Sequence, residues 1–417
     1  MGMDPVKVKE MNMPVEGGPL PGYPDVPYAQ SCSMDRCMAR AKEMMDWDSK
    51  YPCRDMGNGK VRGVGVAMAM QGSSIAGVDV GGADIKLNED GSYTLALGCT
   101  DMGTGCDTVM AQIAADCLNT PMDNIVVFSV DTDISPYDSG SYASATTYTT
   151  GVAVMKACEE LKKKICKLGA EMMEVDEGKV DFDGSCVFYD ETLEISDGAD
   201  GNAAGHMTDA EEGYSVDMDA ISSENAQKKV SLEDIALKST FFNNIELQVV
   251  KQHSSPISPP PFMVGMAEVE VDTETGSVDV LDYVAVVDCG TPINPNLARV
   301  QTEGGIAQGI GMALWEDVQY TDKGKIRNNS FMQYKIPTRQ DIGNIRVDFE
   351  CSYEKSGPFG AKSIGELVID TPCPALAEAI YNATGVRLTE LPMTPEKIAM
   401  EILKNRESTR SGTKVEE

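Results

Sequence analysis

Hydrophobic and polar residues alternate along several short stretches of the chain, which is typical of half-buried β-strands. The segments Ala83–Leu87 and Tyr93–Leu97 both alternate, and the turn residues Asp90-Gly91 lie between them. This arrangement predicts a β-hairpin. Two longer apolar segments, Met263–Val271 and Val278–Val287, predict a second pair of strands.

Other stretches carry apolar residues at helical spacing. Val152 to Leu168 predicts a long helix, and Ala375 to Tyr381 predicts a shorter one that Gly385 ends. A further helix is predicted for Met34 to Trp47. Strands and helices together indicate the α+β class, with mixed sheets and packed helices.

The composition changes along the chain and suggests its organisation. Residues 1–60 are rich in Pro, Met and Gly and weakly periodic, so we predict a linker-like segment without a core of its own. The remainder, residues 61–417, is predicted to form two lobes from residues 61–170 and 262–417. Residues 171–261 are predicted to be a variable acidic insert, with a surface loop at Asp197 to Glu224.

The charge of the chain excludes one class of partner. Its 417 residues include 66 Asp and Glu against 35 Lys and Arg, a formal net charge of -31. Such a chain repels a phosphate backbone, so a nucleic-acid partner is excluded. No apolar run reaches the roughly 20 residues that span a bilayer. The first residues lack the basic and apolar regions of a signal peptide, so we expect a cytoplasmic protein without a membrane partner.

Cysteine and histidine usage restricts the possible chemistry. The 12 cysteines occur singly, without a C-x-x-C pair, so no zinc site or iron–sulfur cluster is indicated. The two histidines, His206 and His253, lie in polar surroundings, so a Ser-His-Asp triad or a pair of zinc-binding histidines is not expected. We predict no metal-ligating residues. An enzyme of this composition needs a bound cofactor for its chemistry.

Two loops are candidates for ligand binding. Gly98 to Asp107 lies between a strand and a helix, where free backbone N–H groups attract an anion, usually phosphate. Asp101 and Asp107 oppose such binding, so a phosphate cradle and a plain turn remain equally plausible. Asp138 to Thr147 is rich in hydroxyls, which suits a polyoxygenated ligand, but a cap of the following helix by Ser and Thr is the slightly favoured alternative.

The glycine-rich stretch Gly357 to Glu366 is the candidate catalytic element. Three glycines and a proline force the backbone to turn sharply, and Glu366 stands where that turn ends. A carboxylate on a rigid turn suits a general base, although Glu366 could also be one more surface acid. Four glycines inside the helical pattern Gln301 to Gly311 indicate a helix whose backbone packs closely on a ligand or a neighbouring element.

These motifs occur in a recognisable order. The chain resembles the xanthine dehydrogenase and aldehyde oxidase family, and specifically the carboxyl-terminal half of its molybdopterin-binding subunit, with a two-lobed fold. The resemblance extends from the first residues to about Glu401. It rests on seven motifs: Arg62-Gly63-Val64-Gly65, Asp101 to Gly105, Ser139 to Ser144, Asp288-Cys289-Gly290 with Asn294-Pro295, Gln301 to Gly311, Tyr334 to Thr338, and Gly360 to Glu366.

The resemblance implies roles for individual residues. Glu366 matches the family's catalytic glutamate, which acts as a general base. The molybdopterin and its dinucleotide tail are expected to contact ten residues: Met102, Gly103, Thr104, Gly105, Ala143, Ser144, Thr146, Thr147, Gln301 and Gly365. Two positions depart from the family pattern. Thr104 stands where Gln is frequent and Ser363 where Gly is commoner, which implies a lost or water-mediated pterin contact.

The resemblance also implies a reaction and partners. Family members hydroxylate an electron-poor carbon with water as the oxygen source, and electrons leave through [2Fe-2S] clusters to FAD on partner chains. We expect molybdopterin with molybdenum, in the cytosine dinucleotide form, and an aromatic N-heterocycle such as xanthine or another purine. Aldehyde oxidation and a non-catalytic, cofactor-holding chain remain alternatives. Met1 to Val6 resembles an internal family segment, so a partner is expected to supply the amino-terminal half.

Overall fold

A computed structural model describes residues 2–20, 26–129, 131–193, 228–243 and 245–411, with side chains as far as residue 407. The acidic tract predicted as a surface loop, Asp197 to Glu224, lies outside the described residues. The strands are β1 (Cys53–Gly57), β2 (Lys60–Met70), β3 (Gly81–Leu87), β4 (Tyr93–Leu97), β5 (Ile125–Phe128), β6 (Val180–Phe182), β7 (Cys186–Tyr189), β8 (Lys229–Ser231), β9 (Gln248–His253), β10 (Phe262–Asp272), β11 (Val278–Asp288) and β12 (Asn344–Phe349).

Helices alternate irregularly with these strands, as expected for the α+β class. The α-helices are α1 (Pro5–Glu10), α2 (Met34–Met45), α3 (Trp47–Lys50), α4 (Cys106–Leu118), α5 (Gly151–Met173), α6 (Leu232–Leu237), α7 (Pro295–Leu314), α8 (Pro372–Thr384) and α9 (Pro395–Ser411). The strands form three sheets, in the orders β1-β2-β10-β11-β12, β5-β4-β3-β9 and β6-β7-β8. In the described ranges, we find no helix whose length and apolarity would let it cross a membrane.

The five-stranded sheet is the centre of one lobe. Strand β10 pairs antiparallel with β2 and with β11, and β12 joins β11 in parallel. The side chains of β10 are almost all buried because both faces of the sheet are covered. Helices α7, α8 and α9 share a hydrophobic core with one face, and α2 shares a core with the other.

The packing of α2 corrects the prediction for residues 1–60. Cys37, Met38 and Met45 of α2 are fully or almost fully buried against β10 and β11, and β1 forms the edge of the same sheet. The described part of this segment is therefore a layer of the fold, not a linker. The sequence did not reveal it, because the strands that α2 covers lie more than 200 residues further along the chain.

Strand β2 explains one of the sequence motifs. A Cβ atom at Gly65 would lie 2.1 Å from the carbonyl oxygen of Ala375, so only glycine lets α8 pack this closely on the strand. Glu378 accepts the N–H of Val66 and Asn382 donates to the carbonyl of Val64, both at 2.7 Å. These side chains of α8 form hydrogen bonds with backbone groups in the part of β2 that extends beyond β1. Burial raises the pKa of the Glu378 carboxyl.

The four-stranded sheet is the centre of the second lobe. The predicted hairpin is confirmed as β3 and β4, with Ala83 opposite Leu97 and Leu87 opposite Tyr93. Helices α4 and α5 cover this sheet and form its core together with side chains of β6, β7, α6 and β9. Residues 171–193, 228–243 and 245–253 are thus integral to this lobe, so these parts of the range 171–261 do not form the predicted insert.

Candidate functional site

A cavity of about 240 Å³ lies between the two lobes. The second lobe contributes the loops before α4 and α5. The first contributes the segment after β11, the amino-terminal part of α7 and the turn that ends at Glu366. Eight of the residues implied by the resemblance line this cavity: Met102, Thr104, Ser144, Thr146, Thr147, Gln301, Gly365 and Glu366.

An adjoining cavity extends along α7. It shares Thr104, Gln301, Gly365 and Glu366 with the first cavity. Gly103, another of the predicted residues, lines this second cavity. Gly105 and Ala143, the remaining two, line neither cavity. They shape the backbone instead: Gly105 precedes α4 with a φ of 76°, and Ala143 has a φ of 49°.

A buried ion pair anchors the turn that carries Glu366. The Lys362 ammonium lies 3.0 Å from Oδ1 of Asp288, and both side chains are fully buried. Asp288 also accepts hydrogen bonds from the N–H of Ser33, the N–H of Gly290 and the hydroxyl of Ser352. Because the carboxylate is paired and well hydrogen-bonded, its burial is compensated. The pair joins the end of β11 to the turn.

Backbone contacts reinforce this junction. The N–H of Lys362 donates to the carbonyl of Cys289 at 2.7 Å, and the N–H of Thr291 donates to the carbonyl of Gly360 at 2.9 Å. A Cβ atom at Gly290, whose φ is 68°, would lie 2.2 Å from that same Gly360 carbonyl oxygen. The motif Asp288-Cys289-Gly290 is therefore required for the close approach of two chain segments.

Glu366 lines both cavities, and its side chain is exposed. Its Oε2 accepts a hydrogen bond from the Ser144 hydroxyl at 3.1 Å and another from the Gln71 amide at 2.9 Å. The apolar residues that follow it, Leu367 and Val368, are fully buried. The carboxylate is thus held by a rigid part of the chain and remains accessible. A general base requires both properties.

The hydroxyl-rich loop does not cap the helix that follows it. Thr150 makes no side-chain cap on α5, and Thr146–Thr150 forms a π-helical turn that leads into α5. Ala143 and Ser144 both have positive φ, at 49° and 55°. Two successive non-glycine residues in the left-handed region are costly and are concentrated at functional sites. Of the two alternatives for this loop, the structure disfavours the helix cap.

The loop before α4 distinguishes between the two alternatives given for it, a phosphate cradle and a plain turn. The carboxylate of Asp101 accepts the N–H groups of Gly103, Gly105 and Asp107 at 2.9, 3.1 and 3.4 Å. Partial burial opposes ionisation of Asp101, but these backbone donors outweigh it and lower the pKa of its carboxyl. The chain's own carboxylate occupies the position of the expected anion, so the plain-turn alternative is correct for these N–H groups.

Three possible metal-ligand atoms lie within 4.8 Å of one another beside this turn, on Asp101, Cys106 and Asp107. Asp101 is engaged by backbone N–H groups, and Asp107 accepts a hydrogen bond from the Ser129 hydroxyl at 3.2 Å. These contacts stabilise the turn, and we assign no metal to it.

Helix α7 positions the cavity from the other side. Asn294 caps it by accepting the N–H of Leu297 at 3.0 Å, and Gln301 donates its amide to the carbonyl of Gly365 at 3.0 Å. Three of the four glycines of α7 allow the close packing predicted for them, whereas a Cβ atom at Gly304 would meet nothing within 4 Å. A Cβ atom at Gly305 would lie 2.3 Å from Val368, and one at Gly309 would lie 2.7 Å from Pro372.

The loop Gln71–Ser74, which follows β2, was missed in the sequence analysis. The hydroxyl of Ser73 accepts the N–H of Ser363 at 3.0 Å, and the N–H of Ser74 donates to the carbonyl of Ala143 at 2.9 Å. The hydroxyl of Ser363 also donates to the carbonyl of Gly72 at 3.4 Å. Ser363, which departs from the family pattern, therefore has a structural partner here. No recognisable motif distinguishes this loop in the sequence.

Comparisons with known proteins agree with the fold. A family described as the molybdopterin cofactor-binding domain matches residues 40–343. The probable hypoxanthine oxidase XdhD of Escherichia coli is 33% identical over 380 residues, which are 89% of this chain and 35% of that protein. The putative xanthine dehydrogenase molybdenum-binding subunit XdhA of Escherichia coli is 28% identical, over 95% of this chain and 49% of that protein.

Solved structures show the same fold. Quinoline 2-oxidoreductase from Pseudomonas putida 86 superposes with a TM-score of 0.76 at 22% identity, covering 90% of this chain and 46% of that chain. A Cu,Mo-CO dehydrogenase superposes with a TM-score of 0.77 at 21% identity, covering 99% and 50%. The chain spans a third to a half of the curated relatives described above. It belongs to the molybdopterin cofactor-binding domain family and corresponds to part of the large subunit of the molybdenum hydroxylases.

Proposed function

We propose that this chain is the catalytic, molybdopterin-binding part of a hydroxylase that acts on an aromatic N-heterocycle such as a purine. The observation that carries the proposal is the position of Glu366, which lines the cavity and whose carboxylate is held by two donors. The reaction converts a substrate C–H bond and water into a C–OH group, and it releases two electrons and two protons.

The residues around the cavity fit the cofactor that the family binds. A pterin and its phosphate-bearing tail present many polar atoms, and this wall offers the hydroxyls of Thr104, Ser144, Thr146 and Thr147 together with the amide of Gln301. The exposed side chain of Met102 adds an apolar surface. These residues, with Gly103 and Gly365, would hold the cofactor. When bound, the molybdenum cofactor supplies the acceptor for the two electrons.

Gly105 and Ala143 are proposed to act on the cofactor site indirectly. Gly105 fixes the loop before α4 by fitting against Leu297, because a Cβ atom there would lie 2.6 Å from its Cδ1. Ala143 fixes the hydroxyl-rich loop through its carbonyl, which Ser74 N–H contacts. We infer that both residues shape the cofactor site through the backbone, without side-chain contacts of their own.

Glu366 is the general base in this proposal. Its ionised carboxylate accepts a proton from the water that supplies the oxygen, and the surrounding turn keeps the carboxylate at a constant position. A positioned general base contributes about a hundredfold or more to the rate. The Lys362–Asp288 pair is too deeply buried to contact a substrate, and its proposed part is to hold the turn.

The finer assignments rest on the relatives. The names of XdhD and XdhA refer to hypoxanthine and xanthine, and this supports a purine for the present chain. Relatives named as subunits or large chains of complexes support partner chains. We propose that these carry FAD and [2Fe-2S] clusters, that a further segment completes the molybdopterin subunit, and that the cofactor has the cytosine dinucleotide form. A cytoplasmic location remains a prediction from the sequence.

The test uses the complex purified from its native host by a tag on this chain. We expect stoichiometric molybdenum, cytidine monophosphate released on hydrolysis of the cofactor, and oxidation of hypoxanthine or xanthine with an artificial electron acceptor. Preference for benzaldehyde over both purines would favour an aldehyde oxidoreductase. A metal-loaded complex that oxidises none of these compounds would contradict the catalytic role.

A further inference from the structure

Gln71 lies outside the residues that the family resemblance identifies, yet it contacts the candidate base directly. Its amide nitrogen donates to Oε2 of Glu366 at 2.9 Å, across 295 residues of sequence. It begins the loop Gln71–Ser74, whose next residues bond to Ser363 and Ala143. The loop therefore holds both the glutamate turn and the hydroxyl-rich loop.

The two donors to Glu366 converge on one oxygen. Gln71 and Ser144 both donate to Oε2, whereas no donor from the described part of the chain reaches Oε1. Two bonds to the same oxygen fix the rotation of the carboxylate about its terminal torsion. Oε1 consequently keeps its lone pairs available to accept a proton.

The oxygen atom of the Gln71 amide shows that the observed orientation of this side chain is unfavourable in one respect. Oε1 of Gln71 is buried and has no hydrogen-bond partner among the described residues. A buried acceptor without a partner is unfavourable, because it has lost its hydrogen bonds to water. Rotating the amide by half a turn would bring its oxygen against a carboxylate oxygen, so the charge of Glu366 selects the observed orientation. A buried polar atom without a partner calls for an explanation, and the positioning of Glu366 provides one.

We propose that Gln71 is a positioning residue that, together with Ser144, holds Oε2 of Glu366 and so presents Oε1 as the proton acceptor. This inference rests on the proposed function. In the proton transfer, an O–H bond of the water breaks and a bond between Oε1 and hydrogen forms. The electron pair of the broken bond stays on the water oxygen, and the two donors to Oε2 stay in place.

The experiment compares variants of Gln71 in the purified native complex. Gln71→Met keeps the length of the side chain and removes the donor, and Gln71→Asn keeps the amide but shortens its reach. The matched control is Gln248→Met, because Gln248 donates its amide to Asp84 within the four-stranded sheet, away from both cavities. The substrate is whichever of hypoxanthine, xanthine and benzaldehyde the parent complex oxidises most rapidly.

We expect both Gln71 variants to retain the molybdenum content of the parent. We also expect kcat to fall by about tenfold, equivalent to about 1.4 kcal/mol, because a mobile carboxylate spends less time in the reactive orientation. KM should stay within about threefold, since a positioning contact acts on the reaction rather than on substrate binding. Gln248→Met should match the parent in both constants.

Three results would overturn the inference while leaving the proposed function intact. They are a kcat within twofold of the parent in both variants, a rise in KM without a fall in kcat, and loss of molybdenum from both variants. Each result is compared with the activity of the Glu366→Gln variant of the same complex. We expect that variant to be nearly inactive. If Glu366→Gln retains parent activity, the proposed base is wrong, and the positioning role of Gln71 is wrong with it.

Discussion

The hydroxyl of Ser144 accepts the backbone N–H of Glu366 at 2.9 Å and donates its own proton to Oε2 of the same residue at 3.1 Å. One hydroxyl therefore fixes both the backbone and the side chain of the candidate base. The two residues are 222 positions apart in sequence and belong to different lobes. The contact joins the two lobes beside the cavity, and it explains why Ser144 adopts a left-handed backbone conformation.

Ser144→Asp should reduce molybdenum and pterin content. The new carboxylate would lie beside Glu366 and face the polar atoms of the cofactor, and like charges at this distance repel. Ser144→Ala is the matched control, because it removes the hydroxyl without adding charge. We expect the Ala variant to keep its molybdenum and to lose turnover modestly. Equal molybdenum content in the Asp variant and the parent would show that this loop does not face the cofactor.

Glu366→Gln should leave the cofactor content intact and lower turnover by at least about a hundredfold, because the amide cannot accept the proton. The control is Glu303→Gln on α7, since Glu303 pairs with Arg299 at 3.5 Å and lines neither cavity. Steady-state kinetics with metal analysis of each preparation provides the measurement. A fully metal-loaded Glu366→Gln complex with activity within a few-fold of the parent would exclude Glu366 as the base.

Lys362→Met should destabilise the protein strongly. Removing the ammonium leaves the buried carboxylate of Asp288 unpaired, and breaking a buried pair in this way costs about 3–5 kcal/mol. The control is Lys86→Met, whose partner Glu246 lies at the surface, and such exposed pairs contribute at most about 1 kcal/mol. Urea unfolding of each variant gives the comparison. Similar losses in both variants would mean that the buried pair does not hold the glutamate turn.

Asp101→Asn should weaken the loop before α4 in a pH-dependent way. The pKa of the Asp101 carboxyl is lowered in the folded state, so its stabilising contribution is complete above the ordinary value of 3.8 and is lost as the pH falls through the lower folded value. We expect the variant to lose about 1 kcal/mol at pH 7, as for a lost helix cap. The difference from the parent should shrink below pH 3.8, as measured by urea unfolding at several pH values. A constant difference across this range would contradict the role of the ionised carboxylate.

The central elements could be predicted from local patterns. The hairpin of β3 and β4, the pair β10 and β11, and the helices α2, α5 and α8 follow from the spacing of apolar residues and from turn residues between them. The spacing of residues along a strand or helix is a local property, so a single sequence displays it. The ordered motifs also sufficed to identify the family and the loops that line the cavity.

The contacts across the cavity depended on tertiary structure. Ser144 and Gln71 reach Glu366 across 222 and 295 residues, and no local pattern encodes that distance. Asp101 looked like an obstacle to anion binding, whereas folding turns its carboxylate onto the N–H groups that an anion would have used. The first 60 residues seemed to lack a core because their apolar side chains pack on strands that come much later in the chain. Sequence determined the elements and the chemical groups, and long-range packing decided which groups meet, because hydrogen bonds and burial depend on distance in space.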